Sequence, residues 1–371
     1  METKPRFYLP ELDGLRFIAF MLVFVHNAPS ISSSKIWTAL HEYGWIGVDL
    51  FFCLSGFLIT KLLVMEHERT GEINIRNFYY RRVLRIWPLY FFYLAIGFLF
   101  IIFTDGWHPV LAKHLAGLAT FTYDFVVLFL TYKAFAIYFH LWTVSYEEQF
   151  YIIIPWVIQK VLQNARRINF LFIFVVFTAG NLIRIIFIYY NAKHPAIYML
   201  PITHFEAMLG GIAIGLGLFD DLSVIVKNWI LLSLGLVLIS VAFLLPNVHE
   251  IGWGLAITYP VVGLGMTLIV ISLTKSTTSG ISNLLRNDLL VYLGKISYGL
   301  YMFHLLSLST SILVTQKLSS HFNIPIAFHQ VLYFFIGLSL TILLSIASYI
   351  FLEKPFLKLK DRYGYIISRA T

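Results

Sequence analysis

The chain has 371 residues, of which 59% are hydrophobic and only 12% charged, with a mean hydropathy of +0.79. That leaves too little polar surface to coat a soluble globule, so the composition predicts a polytopic membrane protein. The net charge of +8 comes from Lys and Arg scattered through short loops, a pattern of membrane orientation that implies no nucleic-acid partner.

Reading runs of about 20 apolar residues as membrane helices predicts spans near 14–30, 46–65, 83–104, 141–162, 168–190, 201–219, 228–246, 253–273, 289–310 and 331–352. The expected fold class is all-α, a ten-helix transmembrane bundle forming one integral membrane domain over residues 1–371. A further apolar stretch, 110–131, holds Lys113, His114 and Asp124. If it crossed, Arg166, Arg167 and the basic tail (Lys354, Lys358, Lys360, Arg362, Arg369) would lie outside, against the positive-inside bias that also draws Lys4 and Arg6 inward. It is therefore expected to be re-entrant or interfacial, with both termini cytoplasmic. No small-residue cleavage site follows the first apolar stretch, which is expected to be retained rather than removed as a signal peptide.

Taken in chain order, the first helix runs from Asp13-Gly14-Leu15-Arg16 through Phe17–Val25 and closes on His26. An ionisable pair in a membrane-grade helix is a functional hypothesis by default. At about 1.5 Å per residue the two side chains start roughly 15 Å apart, near half of a ~30 Å hydrocarbon layer. Arg16 is expected at one surface and His26 inside. In the second span the single cysteine, Cys53, has no partner for an internal disulfide and reads as a packed thiol. Ser55 and Gly56 are small enough for another helix to approach closely.

At the expected cytoplasmic end of the third helix stand Arg81, Arg82 and Arg85. Arg82 and Arg85 share a helical face, and guanidinium forks at that spacing suit phosphate or pyrophosphate; lipid head groups are the plainer alternative. The fourth span opens at the opposite face on His140-Leu141-Trp142-Thr143-Val144-Ser145-Tyr146-Glu147-Glu148-Gln149. Adjacent helical residues diverge by about 100°, so at most one of Glu147 and Glu148 can point into the bundle. That one could orient or exchange a proton, or the pair could simply favour a helix start. Later, His304 lies inside an apolar helix, where packing is the bland alternative. In Glu353-Lys354-Pro355-Phe356, Pro355 is expected to stop the last helix at the cytoplasmic surface, with Glu353 in a structural role or paired with an arginine. No G-x-S-x-G elbow, H-E-x-x-H pair, cysteine metal box or Walker loop occurs, so neither a metal nor a nucleotide-hydrolysing engine is expected.

In order, LDGLRFIAF and its histidine, FFCLSGFLI, RRVLRIWPLYF, HLWTVSYEEQFY, LGKISYGLYMFH and EKPF resemble the signature blocks of the acyltransferase-3 family of membrane O-acyltransferases. The blocks span residues 11 to 356. The resemblance implies transfer of an acyl group, usually acetyl from acetyl-CoA, onto hydroxyls of extracytoplasmic carbohydrate. His26 corresponds to the family's first-helix histidine, Arg16 to its basic partner, Arg82 and Arg85 to its arginine pair, and Glu147 to the first carboxylate of its S-x-E-E-Q-F-Y block. Two departures stand out. Nine residues separate Arg16 from His26 where the family has ten, with Asn27 in the usual histidine place, so a bulge or another rotamer is expected to restore the aim. His204 stands where members often carry arginine.

On this reading Arg82 and Arg85, helped by Arg81, hold the phosphates of cytoplasmic acyl-CoA, and the pantetheine arm reaches towards His26. Acyl-CoA is a substrate, and no permanently bound cofactor is expected. His26 then takes the acceptor's proton or is itself acylated, while Arg16 and Glu147 tune or orient it. The acceptor is expected to be a carbohydrate or lipid-linked glycan, and the location a bacterial inner membrane. No hydrolase-like domain is expected after the last span, so an acyl relay would be expected to need another protein. A transporter or flippase for a lipid-linked sugar is the alternative, because ten helices with midplane polar groups also suit passage.

Overall fold

The structure is a computed structural model that describes residues 7–131, 135–250, 252–274, 280–322 and 324–366. Lys4, Arg6 and Arg369, on which part of the orientation argument rests, lie outside the described residues. The described residues are helical, with no strand among them. The principal helices are α1 (Pro10–Asn27), α2 (Lys35–Tyr43), α3 (Ile46–Thr70), α4 (Ile75–Thr104), α5 (Pro109–Ala119), α6 (Trp142–Val161), α7 (Arg166–Tyr189), α8 (Glu206–Gly215), α9 (Asn228–Ala242), α10 (Leu255–Thr274), α11 (Asp288–Lys295), α12 (Ser297–Phe322) and α13 (His329–Ser348).

By length and composition six helical runs can cross a membrane: α3, α4, α7, α10, α12 and the run from His329 to Tyr363. The other four expected spans coincide with α1 and α6, which carry ionisable residues, and with α8 and α9, which are short. The stretch 110–131 folds as α5, a single turn at Tyr123–Val126 and a π turn at Val127–Thr131. No piece of it is of spanning length.

Two helix ends depart from the sequence reading, and both matter for function. α1 begins at Pro10, with Pro in its first turn and Glu11 and Asp13 beside its N-terminus. A proline lacking an N–H and carboxylates facing the positive end of the macrodipole both favour that start. The earlier start carries Arg16 about two turns into the helix and puts His26 in its last turn, and both residues are half-buried. The helix is regular α throughout, so no bulge shifts the register between the two residues. At the other end, Pro355 does not stop the last helix. A π turn at Tyr349–Glu353 takes up the steric clash, and Pro355 sits in the first turn of a further helix, Lys354–Lys360, where a missing N–H costs nothing.

α3 lies at the centre and packs most extensively on α8, and also on α1 and α10. The approach is close because glycines face it: a methyl on Gly56 would lie 2.4 Å from the Met208 carbonyl oxygen, and one on Gly211 would lie 2.1 Å from that of Cys53. Without a hydrophobic drive in lipid, such backbone-close packing is the main source of helix association. Cys53 is buried there, and Gly71, at φ +80°, ends α3 in the left-handed conformation that glycine adopts at low cost. α7 is peripheral; Leu171, Phe174, Val175, Leu182 and Ile186 are all exposed on it, as expected of a lipid-facing surface.

α1 and α11 meet at a second glycine contact. A methyl on Gly294 would lie 1.8 Å from the Asp13 carbonyl oxygen. Gly294→Ala is therefore expected to push α11 off α1, at a cost of about 1–3 kcal/mol. The fraction of protein that stays monodisperse after heating, measured by size exclusion, checks this; an unchanged fraction would show that the helices can slide apart freely.

Candidate active site

A cavity enclosing about 1230 Å³ of empty space, its open mouth included, lies between α1, α3, α4, α6 and α12. Arg16, Arg82, Arg85 and Glu147 all line it. Aromatic walls come from Phe51, Phe52, Tyr151 and Tyr298, and Thr143 and Tyr301 line it as well.

The expectation that the arginines and Glu147 sit at opposite faces of the membrane is corrected by the packing. α4 begins at Ile75, well before Arg82, and α6 runs antiparallel beside it: Tyr79 Oη donates to the Ile152 carbonyl (2.7 Å), and Trp87 Nε1 to Glu148 Oε2 (3.4 Å). Arg82 and Arg85 fall between those two rungs, at the depth of Glu147. As the helical period requires, the adjacent carboxylates part company. Glu147 lines the cavity, where the charges of Arg85 and Arg16 act on it. Glu148 is buried against Trp87.

The four cavity residues are held in different ways. Arg16 donates from Nη1 to Asp13 Oδ1 at 2.9 Å, one turn back on its own helix. The Arg82 guanidinium lies 5.7 Å from the Phe78 ring centre and 5.8 Å from that of Tyr151. Its Nε is buried without a hydrogen-bond partner, and no carboxylate comes within salt-bridge distance of it among the described residues. Such a cation is poised for an anion that the chain itself does not supply. Ser55 faces the same space, its hydroxyl 2.9 Å from Tyr151 Oη.

Arg81 does not share that cavity. It pairs with Glu66 at 2.7 Å and donates to the Tyr363 carbonyl at 2.9 Å, lining a smaller pocket with Glu66, Lys360 and Asp361. Arg82 lines both spaces, which makes it the link between them. The tail segment that closes the smaller pocket is also held by stacking of Tyr363 on Tyr80, 5.1 Å between ring centres.

His26 is not among the residues lining the large cavity. Its Nδ1 lies 2.7 Å from the His41 carbonyl oxygen on α2. A carbonyl only accepts, so Nδ1 carries the proton and Nε2 of the neutral ring holds the lone pair. Tyr301 stands between the cavity and this end of α1. Its hydroxyl is bonded to Thr143 (2.8 Å), and His304, buried behind it, donates from Nδ1 to the Tyr301 carbonyl (2.6 Å). His304 is close enough to His26 to feel its charge.

His204 belongs to a structural tie. Its Nδ1 bonds to the Tyr198 carbonyl and its Nε2 to Asp49 of α3, each at 2.8 Å and fully buried. The neighbouring Arg184 and Glu206 form a second buried pair, with Arg184 also donating to the Thr203 carbonyl at 2.7 Å. Glu353 accepts from Ser348 Oγ at 3.1 Å. Sequence reasoning passed over Tyr301 and Thr143, and also over His194 and His249, which lie in two connecting segments beside His26. Nothing in their spacing marks them, because each is brought in by a different element.

A family model described as an acyltransferase domain matches residues 9–350. The chain belongs to the acyltransferase-3 family. Among curated relatives it is similar to a protein of Staphylococcus aureus strain COL that carries an O-acetyltransferase name, with 29% identity over 95% of this chain and 58% of the relative. It is likewise similar to O-acetyltransferase OatA of Staphylococcus aureus strain NCTC 8325, with 29% identity over 96% of this chain and 58% of OatA. The chain thus spans little more than half the length of these relatives. No solved structure matches it.

Proposed function

We propose that the chain is an integral membrane O-acetyltransferase that takes acetyl from cytoplasmic acetyl-CoA and places it on a hydroxyl of an extracytoplasmic carbohydrate, in a bacterial inner membrane. The observation that carries this is Arg82, a cation with a buried, unbonded Nε and no ionic partner of its own, lining the cavity that also holds Arg85, Arg16 and Glu147. Phosphate groups satisfy such guanidinium forks. The CoA phosphates sit at Arg82 and Arg85, with Arg81 beside them in the smaller pocket, and the pantetheine arm lies along the aromatic wall towards Tyr301. His26, with its lone pair on Nε2, takes the acceptor's proton or receives the acetyl group and passes it on. For the thioester to reach that nitrogen, the contact between Tyr301 and Thr143 has to open. Such gating confines the reactive centre to moments when donor is present.

The topology that fits is ten crossings with both termini cytoplasmic. α1 and α6 fall outside a purely apolar criterion because their ionisable residues face the cavity and α11 rather than lipid. Similarity to proteins named O-acetyltransferases supports the acetyl group. Purified protein in lipid vesicles, given acetyl-labelled acetyl-CoA and an oligosaccharide, is expected to transfer label to the sugar. A flippase would move the sugar and leave it unmodified, and that result would overturn the proposal.

A further inference from the structure

Away from the large cavity, the densest group of titratable side chains lies over the last turn of α1, where α2 and the segments 190–195 and 243–254 converge. The ring of His249 is stacked on that of His26, with 6.2 Å between centres and 13° between planes, and meets His194 edge-on at 4.4 Å. Three of the surrounding rings have their tautomers set by backbone carbonyls, which only accept. His26 Nδ1 donates to His41 O at 2.7 Å, His41 Nε2 to Ala28 O at 3.0 Å, and His194 Nδ1 to Val248 O at 2.9 Å. The bare nitrogens are therefore Nε2 of His26, Nδ1 of His41 and Nε2 of His194.

The arrangement is held in place rather than loosely draped. Tyr43 Oη donates to the Leu245 carbonyl and Asn247 Nδ2 to the Glu42 carbonyl, each at 2.9 Å, tying the His249 segment to α2. The acidic groups here are Glu42 and Glu250, and the Glu250 carboxylate accepts from the Asn247 backbone N–H at 3.1 Å. His249 itself is exposed. Burial lowers the His194 ring to about 4 and holds His249 below the ordinary histidine range. At neutral pH the rings of the cluster thus offer uncharged donors and acceptors, and the charged groups of the converging segments are of both signs, exposed Lys193 beside His194 against Glu42 and Glu250.

We propose that His249 and His194 form the acceptor platform, where an uncharged, hydroxyl-rich ring such as a neutral sugar lies against His249 and hydrogen-bonds to His194, which aims one hydroxyl at Nε2 of His26. The inference rests on the acetyl-transfer reading above. It makes the enzyme two-sided: the donor occupies the cavity, which His26 does not line, and the acceptor arrives over the outer rim of α1. In the step itself the hydroxyl proton moves to His26 Nε2 as the new C–O bond forms at the acetyl carbon. The C–S bond breaks, its electron pair leaves on sulfur, and the imidazolium returns the proton to give CoA thiol. His249 and His194 touch the acceptor and exchange no proton with it.

The test uses the full chain in lipid vesicles, with acetyl-CoA and a panel of oligosaccharides: chitotetraose and maltotetraose as neutral probes and tetragalacturonate as an acidic one. His249→Ala is expected to raise the KM for the neutral sugars about tenfold, the scale of one lost ring contact, while the KM for acetyl-CoA stays put. His249→Phe, which keeps a flat ring for the sugar to lie against, is expected to recover most of the loss. Trp253→Ala, exposed on the same segment, should change neither constant. An unmoved acceptor KM in His249→Ala, a donor KM rising in step, or a wild-type preference for tetragalacturonate would each overturn the platform. Wild-type protein that acetylates no sugar in the panel and consumes no acetyl-CoA would instead sink the acetyl-transfer reading itself.

Discussion

His26→Ala is expected to remove acetyl transfer while leaving the protein folded. A general base contributes roughly 10²- to 10⁴-fold, and a route through an acylated imidazole would be lost entirely. The structural cost is small, because the ring's hydrogen bond to the chain is the one to the His41 carbonyl, worth about 1 kcal/mol, and that carbonyl belongs to α2, none of whose residues is buried, so water can replace the ring. Initial rates with labelled acetyl-CoA, set beside the size-exclusion profile of the same preparation, check both halves. A well-folded variant that retains full activity removes His26 from the chemistry. In that case attention shifts to His304, whose Nε2 is buried and unbonded and which lies directly behind Tyr301.

Arg82→Ala is expected to raise the KM for acetyl-CoA by about 10- to 150-fold, corresponding to the ~1.5–3 kcal/mol of a hydrogen bond between charged groups, with a much smaller change in kcat. The physical ground is asymmetric. Two other arginines are engaged with buried carboxylates, Arg184 with Glu206 and Arg81 with Glu66. Removing one of those leaves a carboxylate buried alone and destabilises the fold by about 3–5 kcal/mol. Arg82 has no such partner, so its loss relieves an unsatisfied donor and should leave the protein as stable as before or more so. Arg82→Lys keeps the charge but not the fork, and an intermediate KM is expected. A variant with unchanged donor KM would show that phosphate is held elsewhere. One that unfolds would show that Arg82 is part of the scaffold.

These two outcomes separate what the cavity does from what the end of α1 does. Arg82 governs how well the donor is held, and His26 governs whether the group moves. His249, if it receives the acceptor, governs a third constant independently. Gly294→Ala cuts across them, because the oxygen that its methyl would strike belongs to Asp13, the residue that holds Arg16.

A good part of this was legible in the residues. Apolar runs give helices, and the period of the helix alone said that Glu147 and Glu148 would diverge, as they do. Small residues at Ser55 and Gly56 announced a close helix contact, found against α8. The apolar stretch at 110–131 breaks into pieces too short to span. The spacing in RRVLRIWPLYF put Arg82 and Arg85 on one helical face, and both line the large cavity. The ends of the helices were less legible, and errors there propagated. Reading α1 from residue 14 in place of Pro10 left out its first turn, where Asp13 pairs with Arg16. Reading α4 from residue 83 in place of Ile75 put Arg82 at a surface when it lies inside. Hydrophobicity reports where a helix meets lipid, whereas capping, proline placement and carboxylates near the macrodipole set where it begins.

By itself, then, the sequence determined the class of the molecule, several of the residues that line its cavity and the family to which it belongs, because those depend on composition, local period and residues neighbouring in the chain. Only the tertiary structure decided which of those residues share a space. It placed Arg16, Arg82, Arg85 and Glu147 around one cavity, diverted Arg81 to Glu66 and the tail, tied His204 to Asp49, and set His249 and His194 beside His26. Each of these pairings joins segments far apart in the chain, and its distance depends on helix register, on glycine contacts that let backbones touch and on the paths of connecting loops. None of those quantities is local, which is why no pattern along the chain contains them.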